Sequence, residues 1–250
     1  MQTLRLKMTV LAGLLAGCGS GGSSSPPEAS AYPAVAHQAI ACPAQTPNTM
    51  VALAFGQSNA ANNMERRYQS ATVVNYYAGQ CYVAVDPLLG ATGDKGSQWV
   101  LLADKLQPHF DTIILIPIGV GGSSVLEWEA NPWLDAGMQT PYTITHFFWH
   151  QGEADAFKLT SAQYAAALNN VIAKTKAAFP QSSFWVSIAS ICHGAADPNI
   201  QQAQRSVIGP GVFQGPDTDR YDVSWRWDGC HLNAEAQNLV ANEWVRLLGY

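Results

Sequence analysis

Three short apolar segments of the chain each end in a polar turn that contains glycine. Thr49 to Phe55 leads into Gly-Gln-Ser-Asn, Thr112 to Ile118 leads into Gly-Val-Gly-Gly, and Thr143 to Trp149 leads into His-Gln-Gly-Glu. Short runs of apolar, β-branched and aromatic residues that stop at turn residues predict buried β-strands. The chain is therefore expected to contain a sheet that is covered on both faces.

Predicted helices alternate with predicted strands along the chain. The helices are Gln98 to Gln107 with Ser97 as N-cap, Ser161 to Phe179, Asn199 to Val207, and a final helix capped by Asn233. Further strands are predicted at Val73 to Tyr77, Phe184 to Ala189 and Val212 to Phe213. This alternation predicts an α/β fold with a mostly parallel sheet between layers of helices. Loops after the carboxyl ends of parallel strands form the ligand crevice, so the three polar turns are expected to meet at one edge.

The N-terminus has the features of an export signal. A basic start and an apolar stretch too short to span a membrane lead into Leu15-Ala16-Gly17-Cys18, which resembles a bacterial lipobox. We expect residues 1–17 to be a lipoprotein signal peptide, Cys18 to be lipidated, and residues 18–31 to be a flexible Gly/Ser/Pro-rich tether. An ordinary secretory signal with an incidental cysteine is the alternative. Residues 32–250 would then form a single domain, exported to the outer membrane, periplasm or cell surface and attached to the membrane only through the lipid.

Charge and spacing argue against several classes of partner. Charged residues make up 12% of the chain, the net charge is −5, and no stripe of Lys or Arg is present, so nucleic acid is not expected. No pair of cysteines has the CxxC spacing of a zinc site. Three histidines also lack metal-ligand spacing and are expected in the core or at the surface: His109, His150 and His193. Neither a metal nor a cofactor is expected.

One short segment near the C-terminus combines with Ser58 to suggest nucleophilic catalysis. A serine needs a neighbouring base to become nucleophilic, and the base, usually histidine, needs a carboxylate that fixes its tautomer. Ser58 lies on the turn after the first apolar strand, and Asp228-Gly-Cys-His231 supplies a carboxylate and an imidazole within one turn of chain. Asp-x-x-His alone is a weak signal, but its combination with a serine on a strand-end turn is stronger.

Hydrolysis of an ester also needs donors for the oxyanion that forms on the attacked carbonyl. The sequence offers the backbone N–H of Ser58, a backbone N–H at Gly121 or Gly122, and the side-chain amide of Gln151. Glycine suits the second position because it lets the backbone approach the substrate closely.

Four blocks in order resemble the SGNH (GDSL-type) hydrolases, in particular the carbohydrate acetylesterase branch that includes acetylxylan esterases and sialate O-acetylesterase-like domains. The blocks are Phe-Gly-Gln-Ser-Asn, Pro-Ile-Gly-Val-Gly-Gly-Ser-Ser with Glu127-Trp128 behind it, Trp-His-Gln-Gly-Glu-Ala-Asp and Asp-Gly-Cys-His-Leu. Gln202-Ala203-Gln204 and Asp217-Thr218-Asp219 are also similar to that branch. The resemblance extends from about Val51 to Leu247.

The resemblance implies a flavodoxin-like three-layer α/β/α fold, a metal-free Ser-His-Asp mechanism and acetylated carbohydrate substrates. Carried over by position, Ser58 would be the nucleophile, His231 the base and Asp228 the acid that orients it. The asparagine in the superfamily's name is replaced here by Gln151, as in the acetylesterase branch, so Gln151 would keep the oxyanion role. The resemblance leaves open which of Gly121 and Gly122 donates.

Three neighbouring residues and four cysteines complete the expectations. Glu153 is expected to hold its loop in place, with a partnership to His231 as the alternative. Trp128 is a candidate sugar platform, although packing is as common for such an aromatic, and Asn59 is a candidate substrate contact. The cysteines other than Cys18 predict disulfides. Of the three possible pairings we favour Cys42–Cys81 and Cys192–Cys230, with free buried thiols as the alternative.

The same residues are compatible with other functions. Gly56-x-Ser58-x-Ala60 nearly fits the nucleophile elbow of an α/β-hydrolase, but Ser58 follows the first strand, and that fold normally separates its Asp from its His. A lipase or thioesterase of the same fold and a non-catalytic carbohydrate-binding lipoprotein are further alternatives. A turn serine without chemistry is the simplest one.

Overall fold

The structure is a computed structural model, and it describes residues 35–250. The expected signal peptide, the lipidation site at Cys18 and the tether lie outside the described residues. Within residues 35–250, no helix is both long enough and apolar enough to cross a membrane.

A sheet of eight strands forms the middle layer of the described chain. The strands are β1 (Ala39–Ile40), β2 (Thr49–Gly56), β3 (Gln69–Tyr77), β4 (Gln80–Val85), β5 (Thr112–Pro117), β6 (His146–His150), β7 (Ser183–Ile188) and β8 (Val212–Asp217). Their order across the sheet is β1-β4-β3-β5-β2-β6-β7-β8. In this spatial order, every neighbouring pair from β3 across to β8 is parallel. β4 lies on the other side of β3 and is antiparallel to both β3 and β1. The chain builds the sheet first on the β5 side of β2 and then on the β6 side, which places the end of β2 at a topological switch point.

Helices cover both faces of this sheet. They are α1 (Trp99–Leu106), α2 (Val125–Ala130), α3 (Trp133–Met138), α4 (Ser161–Ala178), α5 (Pro198–Ser206) and α6 (Ala234–Leu247). Every residue of β2 is buried, and successive side chains point to opposite faces. Leu53 packs in one core with residues of α2, α4 and α5, and its neighbour Ala52 packs in a second core with residues of α1 and α6. The predicted three-layer α/β/α fold with a mostly parallel sheet is confirmed.

Some element boundaries differ from the sequence-based expectation. Gln98, not Ser97, is the N-cap of α1, and the N–H and hydroxyl of Ser97 instead donate to the carboxylate of Asp86. β6 begins at His146 because the backbone N–H and carbonyl of Thr143 are bound by the side-chain amide of Gln45. β8 continues to Asp217, four residues beyond the predicted strand at Val212 to Phe213.

Four elements were not predicted from the sequence. β1 and β4 are the outer strands on one side of the sheet, and they are only partly buried, so their apolar pattern is weak. α2 and α3 have six residues each, which is too short to establish a helical period.

Both favoured disulfides are present. Cys42–Cys81 links the chain just after β1 to β4, and Cys192–Cys230 links the loop after β7 to the loop that contains Asp228 and His231. The preferred pairing is therefore confirmed, and the alternative of free thiols is excluded for these four residues.

Candidate active site

The polar turns after β2, β5 and β6 meet at one edge of the sheet, as expected from its parallel strands. They line a cleft of about 630 Å³ together with the loops that follow β7 and precede α6. Ser58, Gly121, Gly122, Glu153 and His231 all line this cleft. The described chain also has an apolar cavity of about 590 Å³ between the β3–β4 hairpin and α3, whose lining contains no carboxylate, serine or histidine. These five predicted site residues thus lie at the 630 Å³ cleft and not at the apolar cavity.

Ser58 is placed by a tight turn at the end of the central strand. Gly56 adopts a φ of +125°, and a Cβ at this position would overlap the carbonyl of His150 on the adjacent strand. The N–H of Gln57 donates to that same carbonyl at 3.0 Å, and the carbonyl of Gln57 accepts the N–H groups of Ala60 and Ala61 at 2.8 and 3.0 Å. Glycine is required here because β2 and β6 approach closely just before the serine.

Asp228 and His231 form a hydrogen-bonded pair. Nδ1 of His231 lies 2.6 Å from Oδ2 of Asp228, while Oδ1 of Asp228 accepts the backbone N–H groups of Cys230 and His231 at 2.9 and 2.8 Å. Burial alone would raise the pKa of Asp228, but these hydrogen bonds outweigh it and hold the pKa below its ordinary value. An ionised carboxylate requires the hydrogen on Nδ1, so the lone pair of the neutral ring is on Nε2.

Nε2 of His231 is buried and has no hydrogen-bond partner among residues 35–250. His231 and Ser58 line the same cleft, although no hydrogen bond between their side chains is formed within the described part of the chain. Catalytic hydrogen bonds are often longer in a structure without substrate than in the reacting complex.

Backbone donors are available beside Ser58. The N–H of Gly121 is taken, because it donates to Oγ1 of Thr92 at 2.7 Å. The N–H groups of Ser58 and Gly122 have no acceptor in the described chain, and Gly122 adopts a φ of +73°. Of the two glycines, only Gly122 therefore has a free backbone donor.

Gln151 does not have the free amide that the oxyanion role requires. Its side chain is fully buried, and Nε2 donates to the carbonyl of Ser123 at 3.1 Å and to Oδ2 of Asp155 at 2.7 Å. Oε1 accepts the hydroxyl hydrogen of Tyr164 at 2.8 Å. Turning the amide over would place its oxygen against two acceptors, so both of its hydrogens are committed. The expectation that Gln151 donates to the oxyanion is corrected by this geometry.

Gln57 offers the amide that Gln151 does not, and it was not singled out in the sequence. Its Oε1 accepts the backbone N–H of Ala154 at 2.8 Å and that of Gly152 at 3.4 Å, which fixes the orientation of the amide. Its Nε2 has no partner within the described range, and Gln57 lines the cleft. Its position directly before Ser58 in Gly-Gln-Ser-Asn was the available signal.

Glu153 and Asn59 connect the loops of the site to each other. Oε1 of Glu153 accepts from Nδ2 of Asn59 at 2.8 Å and lies 3.4 Å from Nε2 of His150. Burial raises the pKa of Glu153, but the bonds from His150 and Asn59 and the charge of His150 outweigh it and bring the pKa to about 2. No hydrogen bond or ion pair joins Glu153 to His231 in the part of the chain described, so Asp228 is the partner of the histidine.

Asn59 is fully buried and is therefore not an accessible substrate contact, contrary to expectation. Besides its bond to Glu153, it donates to the carbonyl of Cys230 at 3.2 Å and accepts the N–H of Leu232 at 3.3 Å. These bonds tie the serine turn to the histidine loop.

Trp128 is also unable to serve as a sugar platform. It is fully buried, its Nε1 donates to Oγ of Ser123 at 2.8 Å, and its ring packs edge-on against Phe55 with centroids 5.3 Å apart. The packing alternative is the correct one for this residue.

Comparison with a family model identifies the chain. The model described as carbohydrate esterase, sialic acid-specific acetylesterase matches residues 48–248. The chain belongs to this family. This member is accordingly a carboxylic ester hydrolase, and its family implies an acetylated carbohydrate as the substrate.

Solved structures support the fold of this family member. A protein of Arabidopsis thaliana has a TM-score of 0.65 with 16% identity, covering 81% of this chain and 98% of that one. A chain from Parabacteroides merdae described as a GDSL-like lipase has a TM-score of 0.58 with 15% identity, covering 80% and 95%. A family 3 carbohydrate esterase of Clostridium thermocellum has a TM-score of 0.53 with 15% identity, covering 80% and 94%. No curated protein sequence matches the chain.

Proposed function

We propose that the protein removes O-acetyl groups from carbohydrates, with Ser58 as nucleophile, His231 as base and Asp228 as the acid that orients the base. The observation that carries the proposal is the 2.6 Å contact between Asp228 and Nδ1 of His231, which leaves an unpaired Nε2 buried at the cleft that Ser58 also lines. This arrangement provides a proton acceptor and a hydroxyl on one surface, which is the requirement for serine ester hydrolysis.

The reaction follows from the protonation states. Nε2 of His231 accepts the hydroxyl proton of Ser58 while Oγ attacks the acetyl carbonyl, and Asp228 stabilises the resulting imidazolium. Nε2 then gives this proton to the sugar oxygen as the C–O bond of the ester breaks, which releases the sugar and leaves acetyl-Ser58. A water molecule attacks the acetyl-enzyme, Nε2 takes its proton, and return of a proton to Oγ releases acetate.

Three donors in the cleft are suited to the oxyanion of both tetrahedral intermediates. They are the backbone N–H groups of Ser58 and Gly122 and Nε2 of Gln57, which lack acceptors among the residues described. Donors that are already fixed in place stabilise the developing charge without reorganisation. The backbone of Gly152 and Ala154 holds the amide of Gln57 in this way.

Acetate release tests this function directly. The purified protein is incubated with O-acetylated sialic acid and with acetylated xylan, and acetate is measured for the wild type and for Ser58→Ala. We expect release from at least one substrate, and its loss in Ser58→Ala at an unchanged melting temperature. Turnover that survives in Ser58→Ala would refute the assignment of the nucleophile, and sugar binding without any turnover by the wild type would indicate a binding protein.

The chain length accepted by the site separates an acetylesterase from a lipase or thioesterase. We expect acetate esters to be hydrolysed faster than butyrate or octanoate esters of the same alcohol. A preference for the longer acyl chains would refute the acetyl specificity.

We also propose that the protein is exported and anchored through Cys18. The two disulfides support export, because such bonds persist in oxidising compartments. Growth with a tagged fatty acid should label the wild type and leave Cys18→Ala unlabelled. Equal labelling of both proteins, or none of either, would refute the anchor.

A further inference from the structure

The backbone of Phe157 has a conformation that is rare for its residue type. Its φ is +59°, and only Ala78 and His193 share a positive φ among the non-glycine residues described. A Cβ in this region lies too close to the following carbonyl, and a bulky side chain there is an outlier. Phe157 and His193 both line the cleft that contains Ser58, whereas Ala78 does not.

A buried carboxylate holds Phe157 in this conformation. The N–H of Phe157 donates to Oδ2 of Asp197 at 2.5 Å, and Oδ1 of Asp197 accepts the N–H of Asn199 at the start of α5. Asp197 is fully buried. The N–H groups of Lys158 and Leu159 both donate to the carbonyl of Asp155, which closes the turn on the other side. The surrounding fold thus imposes the backbone conformation of Phe157.

The fold gains little from the ring itself. Phe157 is 71% exposed, which is the largest value for a large apolar residue in the described chain. It makes no aromatic contact with any residue from 35 to 250 and belongs to neither core cluster. Backbone strain without a packing benefit is typical of a residue whose side chain serves a site.

We propose that Phe157 is a stacking platform for the pyranose ring of the acetylated substrate. The proposal rests on the proposed function and adds the site that holds the sugar while its acetyl group lies at Ser58. The carbon-bound hydrogens on one face of a pyranose ring form an apolar surface that packs on an aromatic ring. Phe157 and Ser58 line the same cleft.

Trp227, the other exposed aromatic near the site, is less suited to this role. Its ring stacks on His231 at a centroid distance of 6.2 Å. Nζ of Lys95 lies over the same ring, 4.1 Å from its centroid, in a cation–π contact. Phe157 has no such occupant in the described chain, so its face is open to a ligand.

The kinetic test compares sugar esters with an ester that has no ring. We expect Phe157→Ala to raise the KM for O-acetylated sialic acid and for acetylated xylo-oligosaccharides by about 2- to 10-fold, the range of one aromatic stacking contact. The kcat for these substrates and the kcat/KM for ethyl acetate should stay unchanged. Phe157→Tyr should restore the wild-type KM, because it restores the aromatic face.

Two glycine variants control for backbone strain. Phe157→Gly removes the ring and suits a positive φ, so its melting temperature should not fall below that of the wild type while its KM for the sugar esters rises. Ala78→Gly relieves a similar strain outside the cleft, and it should leave every KM unchanged. A rise in KM that came from a folding defect would be accompanied by a lower melting temperature.

The proposal is overturned if Phe157→Ala leaves the KM for both sugar esters unchanged, or if it raises the KM for ethyl acetate by the same factor. Sugar binding is measured separately, by NMR titration of the two O-acetylated sugars into Ser58→Ala with and without Phe157→Ala. Failure of the wild type to hydrolyse any ester would refute the proposed function alone. Titration shifts that do not depend on Phe157 would refute the platform alone.

Discussion

Replacing Gln57 by glutamate separates the two roles of its side chain. Oε1 of Gln57 accepts the backbone N–H groups of Ala154 and Gly152, and a carboxylate oxygen can keep both bonds. The other oxygen takes the place of the free NH₂ group, so the donor toward the cleft is lost while the anchoring of the side chain remains. The variant Gln57→Glu thus tests the donor and not the position of the loop.

The expected loss of activity is large. Removal of one oxyanion donor lowers kcat by about 10²- to 10³-fold, equivalent to about 2.7–4 kcal/mol of transition-state stabilisation. An ionised carboxylate at this place also repels the oxyanion, so Gln57→Glu should lose at least this much. Burial raises the pKa of the introduced carboxyl group, so the assay is run at about pH 8.5, where the group is charged. At lower pH a protonated carboxyl can donate again, and part of the activity should return.

Gln57→Met removes the donor and the acceptor together. Its kcat should fall by about 10²- to 10³-fold, because the donor is lost without added charge repulsion, and the unpaired N–H of Ala154 should also cost about 1–3 kcal/mol of stability. For a domain of this size each kcal/mol lowers the melting temperature by about 2–4 °C. The measurements are initial rates of acetate release and thermal melts of both variants.

Gln151→Met is the matched control. Gln151 donates to Ser123 and Asp155 and accepts from Tyr164, so its loss should lower the melting temperature and reduce kcat by less than the loss of Gln57 does. The reasoning is refuted if both Gln57 variants keep kcat within about threefold of the wild type. It is also refuted if Gln151→Met loses more kcat than Gln57→Glu at equal folded fraction.

Two further predictions follow from the carboxylates of the site. Asp228→Asn should keep the turn, because its amide oxygen can still accept from the N–H groups of Cys230 and His231. Its NH₂ group would face Nδ1 of His231 and move the ring hydrogen to Nε2, so kcat should fall by about 10⁴-fold. A loss of less than tenfold would contradict the tautomer assigned to His231. The pKa of Glu153 is about 2 in the folded protein against an ordinary value of 4.5, so its ionised form contributes stability that is fully present above 4.5 and is lost as the pH falls toward 2. Denaturant unfolding should show a gap in stability between wild type and Glu153→Gln that is constant from neutral pH down to 4.5 and narrows below it, and a gap that widens on acidification would contradict this sign.

The class of the fold and the contact between Asp228 and His231 were predictable because short-range patterns encode them. β2 is an uninterrupted apolar run that ends at glycine, and this is sufficient to predict a buried strand and the turn that carries Ser58. Asp228 and His231 are three residues apart, so a single turn brings them into contact without help from the rest of the chain. The parallel sheet then predicts that this loop and the serine turn can meet at one edge.

The roles of the amides and aromatics depend on segments distant in sequence. Gln151 and Gln57 are both glutamines after or within a strand-end turn, and the sequence does not distinguish them. Gln151 is bound by Ser123 and Tyr164, residues 28 and 13 positions away, whereas Gln57 is anchored from β6's loop 95 and 97 positions away. Trp128 was likewise open to two interpretations until its burial against Phe55 was known.

The sequence by itself thus determined which residues could react, and the tertiary structure decided which donors remain free to act on a substrate. The conformation of a turn is set by neighbours within a few positions, because the interactions that form a strand end or an Asp-x-x-His turn are local. Hydrogen-bond satisfaction and exposure depend on which distant segments pack together. The free amide of Gln57, the committed amide of Gln151 and the exposed ring of Phe157 are all consequences of that packing.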